Sequence, residues 1–86
     1  MTDLKSQFDA AVAGSRLLTA KPDNKTLLEI YALFKQASTG DVMGERPDAF
    51  DRVAVAKYDA WEDLSGTAKD TAMQRYIDLI AKLRAG

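Results

Sequence analysis

The chain contains no cysteine and no histidine. Without cysteine there is no disulfide, no thiolate metal site and no thiol nucleophile. Without histidine the usual neutral-pH acid–base group and the commonest metal ligand are both missing. Only 2 prolines and 5 glycines interrupt 86 residues. Alanine is frequent, so helix is the natural state of the backbone. No apolar run approaches the roughly 18 residues of a membrane span, and no secretory signal is evident. With 12 basic and 13 acidic residues the net charge is −1. That balance provides no basic field for nucleic acid, and any anion site must be a local concentration of positive charge. Together these absences lead us to expect one small domain over residues 1–86, with a thin core, no metal, no integral membrane segment and a cytoplasmic location.

What is present reads as four amphipathic helices. The most informative stretch runs from about Lys25 to Thr39. Leu27, Ile30, Phe34 and Ala37 fall on one stripe at helical spacing. Tyr31 and Lys35 sit beside that stripe, four residues apart, and so neighbour each other on one face. A phenol beside an ammonium at the edge of an apolar face suits a ligand with a phosphate at one end and a greasy other end. An ordinary rim aromatic and a solvated lysine account for the same two residues.

The first segment runs from about Asp3 to Leu18, with Leu4, Phe8, Ala11, Val12, Ser15 and Leu18 on its apolar face. Arg16 lies at the edge of that face. Gly14 weakens the helix and suggests a close neighbour. Pro22 resists continuation of the first helix, and Asp23 or Asn24 can cap the second. Gly40 is placed to end the second helix in the left-handed conformation. Gly44 and Pro47 break the following loop, and Asp48 or Asp51 can cap the third helix.

The third segment runs from about Asp51 to Leu64. Phe50, Val53, Ala54, Trp61 and Leu64 make its apolar stripe. At about 100° per residue Lys57 lies between Val53 and Trp61, inside that stripe. It breaks the binary pattern, and it must snorkel, pair or meet an anion. Gly66 ends the helix, and Thr67-Ala68-Lys69-Asp70 opens the fourth. The last helix carries Ala72, Tyr76, Leu79, Ile80 and Leu83 on one face. The pattern predicts an all-α bundle of four helices.

Catalytic machinery is not apparent. No carboxylate pair is placed for acid–base work by local spacing, and Ser38 and Thr39 have no histidine to activate them. No glycine-rich phosphate loop occurs. An enzyme is not expected, and binding is. The candidate groups are Arg16, Lys35 and Lys57, each beside or within an apolar stripe, with Tyr31 and Tyr76 at stripe edges.

Three spaced motifs then carry a resemblance. Leu28-x-x-Tyr31-x-Leu33-Phe34-Lys35-Gln36-Ala37-Ser38-x-Gly40-Asp41 is the first. Arg46-Pro47-x-x-Phe50-Asp51, followed by Ala56-Lys57-Tyr58-Asp59-Ala60-Trp61, is the second. Gly66-Thr67-x-x-Asp70-x-Ala72-Met73-x-x-Tyr76-Ile77 is the third. In this order, and over nearly the whole chain, they resemble the signature of the acyl-CoA-binding protein family. The resemblance implies a four-helix bundle of up-down-down-up topology. It implies a soluble, monomeric carrier of long-chain fatty acyl-CoA that holds its ligand without transforming it and needs no cofactor. Enzymes that make or use acyl-CoA would be its partners. Tyr31, Lys35 and Lys57 would meet the 3′-phosphate of CoA. Phe34 and Tyr76 would lie near the adenine, Arg16 would add a contact from the first helix, and Leu28 would lie near the acyl chain.

The chain departs from the family pattern at four positions. Tyr58 stands where tryptophan is usual, Phe34 where tyrosine is common, Arg16 where lysine is common, and Val12 where a smaller residue is often found. None removes a charged contact. The main alternative is a helical interaction module that buries a partner helix in an apolar groove. A carrier with a covalent phosphopantetheine arm would be more acidic and would bear an Asp-Ser-Leu that this chain lacks.

Overall fold

A computed structural model describes residues 3–85. Four helices follow one another: α1 (Leu4–Ser15), α2 (Asn24–Ser38), α3 (Arg52–Glu62) and α4 (Lys69–Ala85), with no strand among the described residues. Three begin on an aspartate. Asp3, Asp23 and Asp51 accept hydrogen bonds from the backbone N–H of Ser6, Thr26 and Ala54, each three residues on, at 2.7, 2.8 and 3.1 Å. Each supplies an acceptor to an N–H that the helix cannot satisfy. Asp48 instead accepts from the N–H of Phe50 and shapes the turn before α3.

The first helix stops at Ser15, earlier than the periodicity suggests. The N–H groups of Arg16 and Leu17 turn back three residues, to Ala13 and Gly14, and tighten the end. Leu18 therefore belongs to the connection. Helix α2 ends as expected. Gly40 has φ +97°, and its N–H reaches the carbonyl of Gln36. A side chain there would be strained.

Helix α2 packs on both α3 and α4, and α4 also packs on α1. Phe8 meets Tyr76 and Gly14 lies under Arg84, so α1 and α4 run parallel. Gln36 near the end of α2 touches Thr67 just before α4, so that pair is antiparallel. Trp61 near the end of α3 touches Gln36, while the starts of α2 and α3 share a groove, so those two are parallel. The topology is up-down-down-up.

The buried cluster consists of Phe8, Leu33, Ala37, Ala72, Tyr76 and Ile80. All come from α1, α2 and α4. The molecule measures 43 × 28 × 15 Å, and so shallow a body can bury few side chains completely.

Two expectations about packing are corrected here. The α3 stripe is not a core face: α3 has no fully buried residue, Phe50 is 96% exposed and Val53 is 65% exposed. Helix α3 packs on α2 alone, which leaves much of its apolar side uncovered. The core face of α2 is also rotated from the stripe read from the sequence. Ala32, Leu33, Gln36 and Ala37 are buried, whereas Phe34 is 36% exposed. Of that stripe, Leu27 borders the space between α2 and α3, Ile30 packs at the margin of the core cluster, and Phe34 lies beside Phe8 and Tyr76.

Candidate functional site

The parallel helices α2 and α3 leave an open groove of about 360 Å³ between their N-terminal halves. Leu27, Leu28 and Tyr31 form one wall; Val53, Ala56 and Lys57 form the other. Asn24 and Arg52 contribute near the helix starts. Val53 and Ala56 are three residues apart, and Lys57 is next to Ala56, so all three share one side of α3. Of the apolar stripe read along α3, Val53 lines this groove, whereas Trp61 is bonded to Gln36 and Leu64 packs against the core cluster.

Tyr31 stands at the centre of the charged end. Lys57 Nζ lies 5.3 Å from the centroid of its ring. Lys35 is one helical turn further along α2, with Nζ 4.9 Å from the centroid of the Trp61 ring. Both ammonium groups rest on aromatic faces, a modestly favourable arrangement at an exposed site. Neither has a carboxylate partner: the ion pairs among the described residues are Lys5–Asp9 and Arg46–Asp59. Lys57 is exposed, so it snorkels along the groove wall with its charge in solvent. The site is a pair of unneutralised cations at the rim of an apolar trough.

Leu28 lines the groove. Phe34 lies one turn beyond Tyr31 and joins a separate aromatic cluster, 6.0 Å from Phe8 and 6.4 Å from Tyr76 between ring centroids. Tyr76 meets Phe8 edge-on at 5.1 Å and is only 2% exposed, so it supports Phe34 from below and has little surface to offer. Arg16 caps α1 and is exposed, with no contact to the Tyr31–Lys35–Lys57 group. Thus Leu28, Tyr31 and Lys57 line one groove, Lys35 lies a turn further along α2 over Trp61, Phe34 and Tyr76 form a separate cluster with Phe8, and Arg16 stands apart.

Sequence reasoning missed the groove lining at Leu27, Val53, Ala56, Asn24 and Arg52. It also missed a polar clasp beneath the site. Gln36 is fully buried at 0% exposure. Its Nε2 donates to Asp41 Oδ1 at 2.8 Å and to the carbonyl of Thr67 at 2.7 Å. Its Oε1 accepts from Trp61 Nε1 at 3.1 Å, and the same indole N–H reaches the carbonyl of Gly40 at 2.8 Å. The backbone N–H of Gly66 donates to Asp41 Oδ1 at 2.9 Å. One amide therefore ties the end of α2 to α3 and to the start of α4. The hydrogen bond from Gln36, then that from Gly66, hold the Asp41 carboxyl below its ordinary value of 3.8. A signal for Gln36 existed: it lies three residues after Leu33 and next to Ala37, on the face that is buried.

The loop between α2 and α3 is fastened in the same manner. Arg46 grips Asp59 with two parallel bonds, Nε to Oδ1 at 2.9 Å and Nη2 to Oδ2 at 2.7 Å. This pairing raises the Arg46 pKa and lowers that of Asp59. The Tyr58 hydroxyl donates to the carbonyl of Gly44 at 3.1 Å.

Residues 5–80 match the family described as acyl CoA binding protein. The chain is 42% identical over 78 residues to acyl-CoA-binding protein homolog 1 of Caenorhabditis elegans, covering 91% of each protein. It is 40% identical over 83 residues to enoyl-CoA delta isomerase 2 of Rattus norvegicus, covering 96% of this chain but only 21% of that enzyme, whose activity is therefore not carried over. The fold superimposes on the crystal structure of Oryza sativa acyl-CoA-binding protein 2 with a TM-score of 0.90 at 32% identity, over 94% of this chain and 90% of that one. A family match across most of the chain, a relative alike along 91% of its length and a shared bundle all agree: the chain belongs to the acyl-CoA-binding protein family.

Proposed function

We propose that this protein binds long-chain fatty acyl-CoA thioesters and carries them without chemical change, as a single-domain, monomeric, cytoplasmic pool former that exchanges ligand with enzymes making or using acyl-CoA. The observation that carries this reading is the pair of unneutralised ammonium groups, Lys35 and Lys57, flanking Tyr31 at the end of an apolar groove. A phosphate dianion answers both charges and accepts from the phenol. An acyl chain answers the groove, whose walls lose water on binding. Leu28 would touch that chain, and the Phe34 face beyond Tyr31 would receive the adenine, with Tyr76 supporting it. Arg16, exposed at the end of α1, would reach the ligand only by extending across the concave face.

The test is a calorimetric titration with palmitoyl-CoA, acetyl-CoA, CoA and palmitate, with Trp61 fluorescence followed in parallel. One palmitoyl-CoA per chain should bind, far more tightly than the other three. Equal affinity for acetyl-CoA and palmitoyl-CoA would overturn the reading. A module for a partner helix would bind none of them.

A further inference from the structure

The two lysines of the cationic rim belong to a regular pattern across α2 and α3. On α2, Tyr31 and Lys35 are four residues apart; on α3, Lys57 and Trp61 are four residues apart. Each pair therefore spans one turn on one side of its helix. The helices run parallel, and the order is swapped between them: the aromatic comes first on α2 and the lysine first on α3. Two cross-helix rungs result. Lys57 Nζ reaches from α3 to the Tyr31 ring, 5.3 Å from its centroid, and Lys35 Nζ reaches from α2 to the Trp61 ring, 4.9 Å from its centroid.

In the second rung the ring is fixed from behind. Trp61 Nε1–H donates to the Gly40 carbonyl at 2.8 Å and to Gln36 Oε1 at 3.1 Å. Gln36 is itself fully buried and bonded to Asp41 and Thr67. Two acceptors at the end of α2 thus set the plane of the indole, and the face so presented lies under Lys35. This matters for a flexible side chain. Holding a lysine in one geometry on binding costs side-chain entropy. A ring that already holds it in the free protein removes part of that cost. The ammonium has three N–H donors, and a ring face engages one side of it, so the other side stays open to phosphate oxygens. Indole is also the best of the aromatic faces for a cation.

We propose that Trp61 is a positioning residue for the 3′-phosphate: it holds the Lys35 ammonium on its face both before and after the ligand arrives, and so raises the affinity for thioesters that carry this phosphate and not for those that lack it. The proposal rests on the acyl-CoA reading above and adds to it the residue that presents Lys35. It also gives a reason for the clasp to end on an indole, since a smaller donor would satisfy Gln36 without offering a face to the lysine.

The experiment is a calorimetric titration of wild type, Trp61→Phe, Trp61→Leu, Lys35→Met and the Trp61→Leu/Lys35→Met double variant, with palmitoyl-CoA and with its 3′-dephospho analogue. Trp61→Leu should bind palmitoyl-CoA about 2- to 5-fold more weakly, the worth of one exposed cation–π contact, and should bind the dephospho thioester as wild type does. Trp61→Phe keeps a ring and should recover part of the loss. Once Lys35 is methionine, Trp61→Leu should cost nothing further. The dephospho ligand controls for a loosened α3, which would weaken both thioesters alike. Proton NMR of wild type gives a reading that needs no variant to fold. The ε-methylene protons of Lys35 should lie upfield of those of the exposed Lys25, through the ring current of the indole, and should stay there when palmitoyl-CoA saturates the protein. Equal losses for the two thioesters, an undiminished Trp61 effect without Lys35, a Trp61→Phe no better than Trp61→Leu, or a Lys35 signal without its upfield shift in either state would each overturn the proposal and leave the carrier reading intact. No binding of palmitoyl-CoA by wild type would instead remove the acyl-CoA reading itself, while the shift in the free protein would still report the contact between Lys35 and Trp61.

Discussion

Replacing Lys57 with methionine separates the site from the fold. In the free protein Lys57 is exposed, and its ammonium rests over the Tyr31 ring at 5.3 Å without a carboxylate. That cation–π contact contributes about 0.5–1 kcal/mol at an exposed position. Methionine keeps the length and the apolar stem, and a sulfur–aromatic contact of about 0.3–1.5 kcal/mol replaces it. The two nearly cancel, so free-protein stability should change by no more than about 0.5 kcal/mol, as for an ordinary surface substitution. For a domain of this size that is a melting shift under about 4 °C. Ligand binding should respond quite differently. Losing one charged contact to a phosphate costs about 1.5–3 kcal/mol, or roughly 10- to 150-fold in affinity. The assay is palmitoyl-CoA titration by calorimetry, with thermal melts of the free and saturated protein. The ligand-induced rise in melting temperature should shrink together with affinity, since mass action sets both. A dephospho-CoA thioester should bind variant and wild type nearly alike. A free protein several degrees less stable, with affinity intact, would refute the reasoning and assign Lys57 to the bundle.

Tyr31→Phe and Lys35→Ala should each weaken palmitoyl-CoA binding by about 1–3 kcal/mol, and the double variant should lose less than the sum because both serve one phosphate; calorimetry of the four proteins in the cycle checks this. Leu33→Ala should cost about 2–5 kcal/mol in urea unfolding, a large part of the total stability of so small a domain, because Leu33 is buried at the centre of the core cluster. Gln36→Leu should cost about 1–3 kcal/mol, since the carbonyl of Thr67 loses its side-chain donor and the Asp41 carboxylate keeps only the N–H of Gly66; an unchanged urea midpoint would show that water replaces the amide. The carboxyls of Asp3, Asp23, Asp41 and Asp59 are all held below 3.8 by the hydrogen bonds they accept. Depressed folded values mean that their contribution is complete above 3.8 and is lost as pH falls through the lower folded values. Melting temperature should therefore drop below about pH 4, and Asp41→Asn should flatten that slope.

The helices were legible because caps and periodicity agree. Asp3, Asp23 and Asp51 precede apolar runs, and Gly40 and Gly66 follow them. The rotation of α2 was not legible. Periodicity shows which residues are apolar on one side, but not which neighbour each will meet. Leu27, Ile30 and Phe34 read as one apolar stripe, yet they meet three different surroundings: the groove, the margin of the core, and the Phe8–Tyr76 pair. Lys57 was read as an anomaly inside a buried stripe. The lysine is exposed, and the stripe is split: its first part, Phe50 and Val53, is open to solvent, whereas Leu64 packs against the core.

This difference bears on which residues carried the resemblance and why. Gln36, Gly40, Asp41, Arg46, Asp59, Trp61, Gly66 and Thr67 belong to the recognised motifs, and none lines the groove. The structure gives each a holding task. Gln36 and Asp41 join the end of α2 to α3 and to the start of α4, and Arg46 and Asp59 pin the long loop. Such a clasp is needed because α3 has no fully buried residue with which to secure itself. Covering Leu27, Leu28, Val53 and Ala56 with another helix would stabilise the bundle but fill the trough. The chain leaves them open and fixes α3 through polar bonds at its far end, where Trp61 reaches Gln36 and Gly40. An indole so anchored also supports the Lys35 ammonium. The clasp and the cationic rim therefore meet at one ring, which explains why residues that never touch the groove are written into the same motifs as those that do.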